Sequence, residues 1–337
     1  MFFGGVKGNK LNDQVRTGFG VVALAAYKPD WNLFRRQLQS IRDQSHDEFL
    51  CLISADGGCD EIKAFVDETV MGDTRFQVIG FDERLGFYGN FERVLEHVPV
   101  DATWIALSDQ DDFWYPNKLD TLIPYLTHYS LATGQARVVT ETGAVLAEST
   151  NRCNVPPAHL LVDNQITGGL SVFRRELLAT VLPFPRLSNP SENHDHWIGL
   201  CAAVAEGAYI ADALVQDYVQ HGGNVLGEPD RSFNVKRSID NFRRMGHKFE
   251  GAGNLSSLLR VMMNIKFGWS RTMVLELRGR APQRLQALEP LLEVVTPRKY
   301  WIKKLAVLWS AVSSKHVSIP SAITFAAGAA VASVLRR

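Results

Sequence analysis

Short apolar runs alternate with amphipathic segments along the first part of the chain. The apolar runs have the length of strands and cover residues 19–27, 49–55, 76–81 and 104–107. Pro29 and Asp30 open the first connecting segment, where apolar side chains recur every three or four positions, at Trp31, Phe34, Leu38 and Ile41. Further helices are expected over residues 62–70 and over about residues 90–98. This alternation predicts an α/β fold with a mostly parallel sheet covered by helices.

Acidic residues collect where the predicted strands end. Asp56 and Asp82 each follow one strand, and the group Asp109, Asp111 and Asp112 follows the fourth. In open α/β sheets, ligands bind at the carboxyl ends of the strands. Three carboxylates within four residues repel one another unless a cation is close, and oxygen ligands suit Mg²⁺ or Mn²⁺. The group therefore predicts a divalent metal site, and the alternative is a solvated acidic turn.

Several other nucleotide-handling and catalytic motifs are missing from the sequence. It contains no G-x-x-x-x-G-K-[ST] and no G-x-S-x-G, and its loose Gly-x-Gly at residues 251–253 does not follow a predicted strand. These absences argue against a P-loop enzyme, a dinucleotide-binding domain and a serine hydrolase.

The net charge of zero hides two parts of opposite sign. Residues 1–230 carry 17 Lys/Arg and 31 Asp/Glu, whereas residues 231–337 carry 19 Lys/Arg and 5 Asp/Glu. The change of sign predicts an acidic α/β domain over residues 1–230 and a basic, mainly α-helical region over residues 231–337. Such a charge division favours contact of the basic part with a polyanionic partner.

The basic region mixes aromatic with cationic side chains. Trp301 and Trp309 stand near four cations, which are Arg298, Lys299, Lys303 and Lys304. This mixture suits an anionic membrane surface. The uncharged segment 317–335 is just long enough to span a bilayer, but it is rich in Ala, Ser and Gly. Interfacial helices, helices that pack copies of the chain together, and a soluble helical core are therefore alternatives.

The four cysteines contain no Cys-x-x-Cys pair, and the first residues lack the apolar core of a secretory signal. We therefore expect a reducing, cytoplasmic location.

An ordered set of motifs resembles glycosyltransferase family 2, and in particular the rhamnosyltransferase-like bacterial enzymes of surface-polysaccharide assembly. The motifs occupy residues 26–29, 53–60, 84–91, 108–118, 164–169, 194–197 and 218–224. The resemblance implies the GT-A fold and an inverting, metal-dependent transfer of a sugar from a nucleotide-sugar donor. It further implies a glycan or lipid-linked acceptor, as in O-antigen or capsule synthesis, and dTDP-L-rhamnose as the expected donor.

The resemblance also implies roles on the donor side. Asp109 and Asp111 match the metal-binding carboxylates, with Asp112 in support, and His221 would complete the metal or diphosphate site. Donor contacts are expected from Tyr27, Asp56, Arg84, Asp109, Gly168 and Gly169. Asp56 matches a residue that binds the nucleotide base, although Lys28 and Ala55 replace more usual family residues nearby.

On the acceptor side, the resemblance makes Asp195 the general base that accepts the proton of the attacking hydroxyl. From its position before an apolar helical run alone, Asp195 is more simply interpreted as a helix N-cap. The residues expected to shape the acceptor site are His194, His196, Trp197 and Trp114.

Two other functions compete with this hypothesis. One is a catalytically silent scaffold whose basic part binds membrane or nucleic acid. The other is a sugar nucleotidyltransferase, which also uses metal and an α/β sheet but has a Gly-rich, basic N-terminal loop that this sequence lacks. With the transferase hypothesis we expect no nucleic-acid partner, a peripheral place on the inner face of the plasma membrane, and possible association of copies through the C-terminal helices.

Overall fold

The computed structural model describes residues 18–81, 83–187, 192–220 and 254–334. The chain forms two compact units. Within the described residues, the first unit comprises 18–152, 166–182 and 205–220, and the second comprises 153–165, 183–204 and 254–334. The domain boundary predicted at residue 230 falls outside the described residues and is still a prediction.

The first part of the chain alternates strands and helices as the apolar pattern predicts. Its elements are β1 (Gly20–Ala26), α1 (Trp31–Arg42), β2 (Phe49–Ala55), α2 (Cys59–Thr69), β3 (Phe76–Gly80), α3 (Gly86–Glu96) and β4 (Trp104–Ser108). The chain continues through β5 (Phe113–Trp114), α4 (Lys118–Leu122), β6 (Leu131–Thr140), β7 (Val145–Ala147), α5 (Pro157–Val162), β8 (Ser171–Arg174), α6 (Leu178–Val181), α7 (His194–Val204) and β9 (Ala208–Gln220). Of these elements, α5 and α7 belong to the second unit.

A single nine-stranded sheet organises the first unit. Its strand order is β3-β2-β1-β4-β8-β6-β9-β5, and β7 pairs with β6. The first four strands in this order run parallel. Their carboxyl ends therefore lie at one edge, where β1 sits between β2 and β4. The residues that follow these three strands, Tyr27, Asp56 and Asp109, are thereby brought to the same edge of the sheet.

The core of the first unit follows the predicted periodicity. Residues 21–24 of β1 are fully buried, and the α1 side chains Phe34, Leu38 and Ile41 are fully buried as well. The Asp30 carboxylate caps α1, accepting hydrogen bonds from the backbone N–H groups of Asn32 and Leu33 at 2.9 and 3.0 Å. Such a cap stabilises a helix by about 1 kcal/mol.

Helix α3 begins earlier than its sequence pattern predicts. The pattern predicted a start near Asn90, whereas the helix begins at Gly86. The first turn is held by Asp56, whose carboxylate accepts hydrogen bonds from the N–H groups of Leu85 and Gly86 at 2.8 and 2.9 Å. The stabilising group therefore comes from the end of β2, about thirty residues earlier.

The second unit is mainly helical, as predicted for the basic region. Its remaining elements are α8 (Leu255–Met263), a π-helical turn (Asn264–Gly268), α9 (Trp269–Arg280), α10 (Leu285–Val295), α11 (Trp301–Ser313) and α12 (Ile319–Val334).

Helix α12 covers most of the uncharged segment 317–335. It has 16 residues, and its residues Phe325 and Ala329 are fully buried. At Gly328 the helix approaches its neighbours closely, since an added Cβ would lie 2.9 Å from the Phe267 Cβ and 3.0 Å from the Met262 carbonyl oxygen. Among the helices in the described ranges, none is long and apolar enough to cross a bilayer.

Candidate active site

The acidic loop after β4 is tied to the end of β1 by Gln110. The Gln110 side-chain oxygen accepts a hydrogen bond from the Tyr27 N–H at 2.8 Å, and its nitrogen donates to the Tyr27 carbonyl oxygen at 3.1 Å. The amide thus pairs with the backbone as a neighbouring strand would. Sequence reasoning assigned no role to Gln110, although its place among the acidic residues of this loop was the available signal.

Gly169 lies directly against two of these carboxylates. A Cβ added at Gly169 would meet Asp109 Oδ2 at 3.0 Å and Asp112 Oδ2 at 3.4 Å. Gly168 and Gly169 form a short 3₁₀ turn that enters β8. The structure therefore brings together Asp109 and Gly169, two residues that the sequence assigns to the donor, and a Cβ at Gly169 would require the Asp109 carboxylate to shift by a few tenths of an ångström.

Asp112 points into the protein interior. Only 2% of Asp112 is exposed to solvent. The carboxylate accepts hydrogen bonds from Gln216 Nε2 at 2.8 Å and from the Val219 N–H at 3.2 Å. Burial, followed by the charges of Asp111 and Asp109, raises the pKa of Asp112 well above its usual value. Asp112 thus ties the acidic loop to strand β9.

A buried lysine completes this arrangement. Lys118 is 0% exposed, and its ammonium donates hydrogen bonds to the Gly169 carbonyl oxygen and to Gln216 Oε1. It also lies 3.5 Å from the centroid of the Trp114 ring. Burial lowers the pKa of Lys118 well below its usual value, against the opposing charges of Asp112 and Asp109. We call Lys118, Gln216, Asp112 and the Gly169 carbonyl the Lys118 network.

The Lys118 network joins four parts of the sheet edge. Gln216 bridges the lysine and Asp112, since its oxygen accepts from Lys118 and its nitrogen donates to Asp112. Lys118 begins α4, Gln216 lies in β9, Asp112 in the acidic loop and Gly169 in the turn before β8. A shift of Lys118 would therefore be transmitted to both the carboxylates and the glycine turn.

Cationic side chains gather at Tyr27. The Arg84 guanidinium carbon lies 4.1 Å from the centroid of the Tyr27 ring, and Lys28 Nζ lies 5.7 Å from it. Contacts of this length with an aromatic face are attractive. The structure therefore brings together Tyr27 and Arg84, both assigned to the donor from sequence, and adds the positive charge of Lys28 beside them.

Asp56 is engaged inside the protein. It is 1% exposed, and besides capping α3 it accepts a hydrogen bond from Arg93 Nη2 at 3.1 Å. Arg93 also donates to Asn90 Oδ1 at 2.7 Å. The carboxylate therefore ties β2 to α3, and its contact with a nucleotide base stays a prediction.

The donor set fits a divalent ion that a substrate helps to hold. Asp109 and Asp111 offer carboxylate oxygens, and Gly169 leaves space beside the first of them. In the described ranges no three or more His, Cys, Asp or Glu side chains are grouped to hold a metal by themselves. Mg²⁺ is typically held by one or two carboxylates together with substrate phosphates, which agrees with this arrangement. Two acidic-edge or metal candidates, Asp82 and His221, lie outside the described residues.

Of the residues predicted for the acceptor side, those from His194 to Trp197 begin helix α7 of the second unit, whereas Trp114 lies in β5 of the first unit. His194 Nε2 lies 2.6 Å from Asp195 Oδ1, and the Asp195 side chain is 17% exposed. His196 is buried, and its Nε2 donates to the Leu160 carbonyl oxygen at 2.7 Å. Burial lowers the pKa of His196 to about 4. His194 is thus placed to orient the Asp195 carboxylate, while His196 holds α7 to α5.

Trp114 and Trp197 both have packing roles. They are 1% and 0% exposed. Lys118 covers the Trp114 ring, and Arg280 lies 5.3 Å from the centroid of the Trp197 ring. Both rings are packed inside the protein, and their role at the acceptor site stays a prediction.

The match to a protein family agrees with the motif pattern. Residues 21–179 match the family model described as Glycosyl transferase family 2. No curated protein matches the sequence significantly. Among solved structures, the chain is similar to residues 1–349 of TarS from S. aureus in complex with UDP-GlcNAc, with 14% identity and a TM-score of 0.48, covering 95% of this chain and 91% of that one. It is also similar to the mannosyltransferase PcManGT from Pyrobaculum calidifontis in complex with GDP-Man and Mn²⁺, with 14% identity and a TM-score of 0.45, covering 95% and 88% of the two chains.

Proposed function

We propose that this chain, whose residues 21–179 match glycosyltransferase family 2, takes one sugar from a nucleotide-sugar donor and transfers it with inversion to a glycan or lipid-linked glycan. The observation that carries the proposal is the meeting of Asp109, Gly169, Tyr27 and Arg84 at one edge of the sheet. This edge joins carboxylates suited to a cation with cationic side chains suited to phosphate.

We propose dTDP-L-rhamnose as the donor and bacterial O-antigen or capsule as the destination. Support comes from the motifs that resemble the rhamnosyltransferase-like enzymes. The two cations beside Tyr27 supply positive charge for the diphosphate of any nucleotide sugar. They therefore support a nucleotide-sugar donor but do not distinguish one sugar from another.

The chain's own residues divide the chemistry between them. Asp109 and Asp111 would hold Mg²⁺ or Mn²⁺, with His221 as a further ligand, and the bound ion would supply charge neutralisation for the departing diphosphate. Arg84 would contact the diphosphate. Asp195, oriented by His194, would take the proton from the acceptor hydroxyl as the new glycosidic bond forms.

The test uses the purified full chain and a panel of nucleotide sugars, with Mn²⁺ or with EDTA. We expect one donor to be cleaved to its nucleoside diphosphate, with activity lost in EDTA and restored by excess Mn²⁺. The same donor should raise the melting temperature, since a ligand that binds the folded state stabilises it.

Two results would overturn the proposal. Formation of a nucleotide sugar from a sugar phosphate and a nucleoside triphosphate would identify a nucleotidyltransferase. Neither cleavage nor stabilisation by any donor in the panel would favour the silent scaffold. The Asp195→Asn variant tests the base separately, because it should lose transfer while donor-induced stabilisation persists.

A further inference from the structure

Helix α11 exposes an apolar stripe to solvent. Ile302 is 86% exposed, Leu305 is 55% exposed and Trp309 is 76% exposed. Spacings of three and four residues place these side chains on one side of a helix. We call these three side chains the α11 face.

The other side of α11 is already packed. Leu308 is 7% exposed and Ala311 is 0% exposed. Helix α11 is in contact with α5, α10 and α12, all within the second unit. The second unit therefore folds without burying the α11 face, and the face is not part of its hydrophobic core.

The sequence around α11 is strongly cationic. No Asp or Glu occurs after Glu293, whereas seven Lys or Arg residues do, namely Arg298, Lys299, Lys303, Lys304, Lys315, Arg336 and Arg337. Lys299, just before the helix, and Lys315, just after it, are exposed. Lys303 Nζ forms an ion pair with Glu293 Oε1 at 2.5 Å. The partner of the α11 face should therefore carry negative charge.

Lys304 does not belong to this cationic surface, although its position in the sequence suggested that it would. It is 1% exposed, and its ammonium donates to the carbonyl oxygens of Thr296 and Lys299. It thus fixes the start of α11. That start also carries Tyr300, which is 43% exposed, next to Lys299.

We propose that the α11 face inserts into the headgroup boundary of an anionic lipid bilayer, with Lys299 and Lys315 at the phosphates. Amphipathic tryptophan and tyrosine side chains favour this depth, and nearby cations add attraction to anionic lipid.

The size of the face favours a bilayer over a second copy of the chain. An aromatic side chain buries about 150–250 Å². The α11 face by itself, with one tryptophan and two aliphatic side chains, therefore stays below the ~800 Å² per partner that a stable protein–protein interface buries. A bilayer needs no such matched area, since each inserted side chain and each cation contributes separately.

The experiment measures co-flotation of the full chain with vesicles of phosphatidylcholine, with and without phosphatidylglycerol. We expect binding to the anionic vesicles, weaker binding to the neutral ones, and loss of the difference at high salt. Replacing the α11 face by Ile302→Ser, Leu305→Ser and Trp309→Ser together should lower partitioning at least tenfold.

A matched control removes three exposed aliphatic side chains from the first unit, through Val100→Ser, Val145→Ser and Leu146→Ser. These residues are 83%, 45% and 56% exposed. The control should bind vesicles as the parent does. Trp309 provides a direct probe, since brominated phosphatidylglycerol should quench part of the parent's fluorescence and that part should be missing in Trp309→Phe.

Three outcomes would overturn the inference: no flotation of the parent chain, equal flotation of the parent and the triple variant, or a parent dimer that the triple variant converts to monomer without any vesicle binding. If the triple variant does not fold, the single Trp309→Ser variant decides between the same outcomes. Flotation needs no donor, so a chain that does not float but transfers sugar would contradict only the membrane inference. A chain that floats but transfers no sugar would contradict only the proposed reaction.

Discussion

Replacing Lys118 by Met should separate the stability of the first unit from its handling of the donor. Methionine keeps most of the volume of the side chain and removes the ammonium. The Gly169 carbonyl and Gln216 Oε1 then lose a buried donor, and the Trp114 ring loses the cation 3.5 Å from its centroid. The Gln216 amide is freed to turn, so its hydrogen bond to Asp112 is weakened as well.

The expected cost follows from these contacts. Two buried acceptors left without their donor cost about 2–6 kcal/mol together, and a desolvated cation–π contact contributes about 2 kcal/mol. Relief from burying an ammonium offsets part of this by several kcal/mol. A net loss of about 2–4 kcal/mol is expected, which lowers the melting temperature of a unit of this size by roughly 5–15 °C.

Lys304→Met is the matched control, because Lys304 is equally buried and also donates to two carbonyl oxygens, in the second unit. Both variants should lose stability in thermal unfolding. Only Lys118→Met should also raise the donor KM or the Mn²⁺ concentration for half-maximal activity. A tenfold change corresponds to about 1.4 kcal/mol.

The reasoning fails if Lys118→Met keeps the parent's kcat, donor KM and Mn²⁺ dependence below its melting temperature. It also fails if Lys304→Met changes these constants as much as Lys118→Met does. In either case the Lys118 network would be a packing feature without influence on the donor residues.

Three further predictions rest on other contacts. Gly169→Ala should leave the melting temperature nearly unchanged but weaken Mn²⁺-dependent donor binding in calorimetry, because the new Cβ would press on Asp109 Oδ2 at 3.0 Å; unchanged binding would separate this glycine from the site. Gly20→Ala should destabilise the fold by about 1–3 kcal/mol in urea titration, since its Cβ would lie 2.0 Å from the Trp104 ring, whereas Gly279→Ala, with nothing within 4 Å, should not destabilise it. His196 has a folded-state pKa of about 4, below its ordinary value of 6.5, so its contribution is complete above pH 6.5 and falls by about 3 kcal/mol as the pH drops to about 4. Urea titrations should show a smaller loss over this range for His196→Gln, and an equal loss would exclude His196 as the cause.

The local pattern of the chain determined much of the first unit. Strands β1 to β4 and helix α1 occur where apolar spacing predicted them. A buried strand or an amphipathic helix can be identified from the spacing of apolar residues within a short stretch of sequence. The acidic group after β4 was visible for the same reason. The parallel pairing of β1 with β4 then brings Tyr27 and Asp109 to one edge of the sheet.

Contacts between distant residues decided the rest. The start of α3 depends on the Asp56 carboxylate, the role of Lys118 on Gln216 and Gly169, and the burial of Lys304 on the carbonyls of Thr296 and Lys299. No periodicity encodes these partners, because each hydrogen bond joins residues that only the folded chain brings together. For the same reason, the apolar content of residues 301–334 was evident from sequence, while only tertiary packing decided that α12 turns Phe325 inward and α11 turns Trp309 outward.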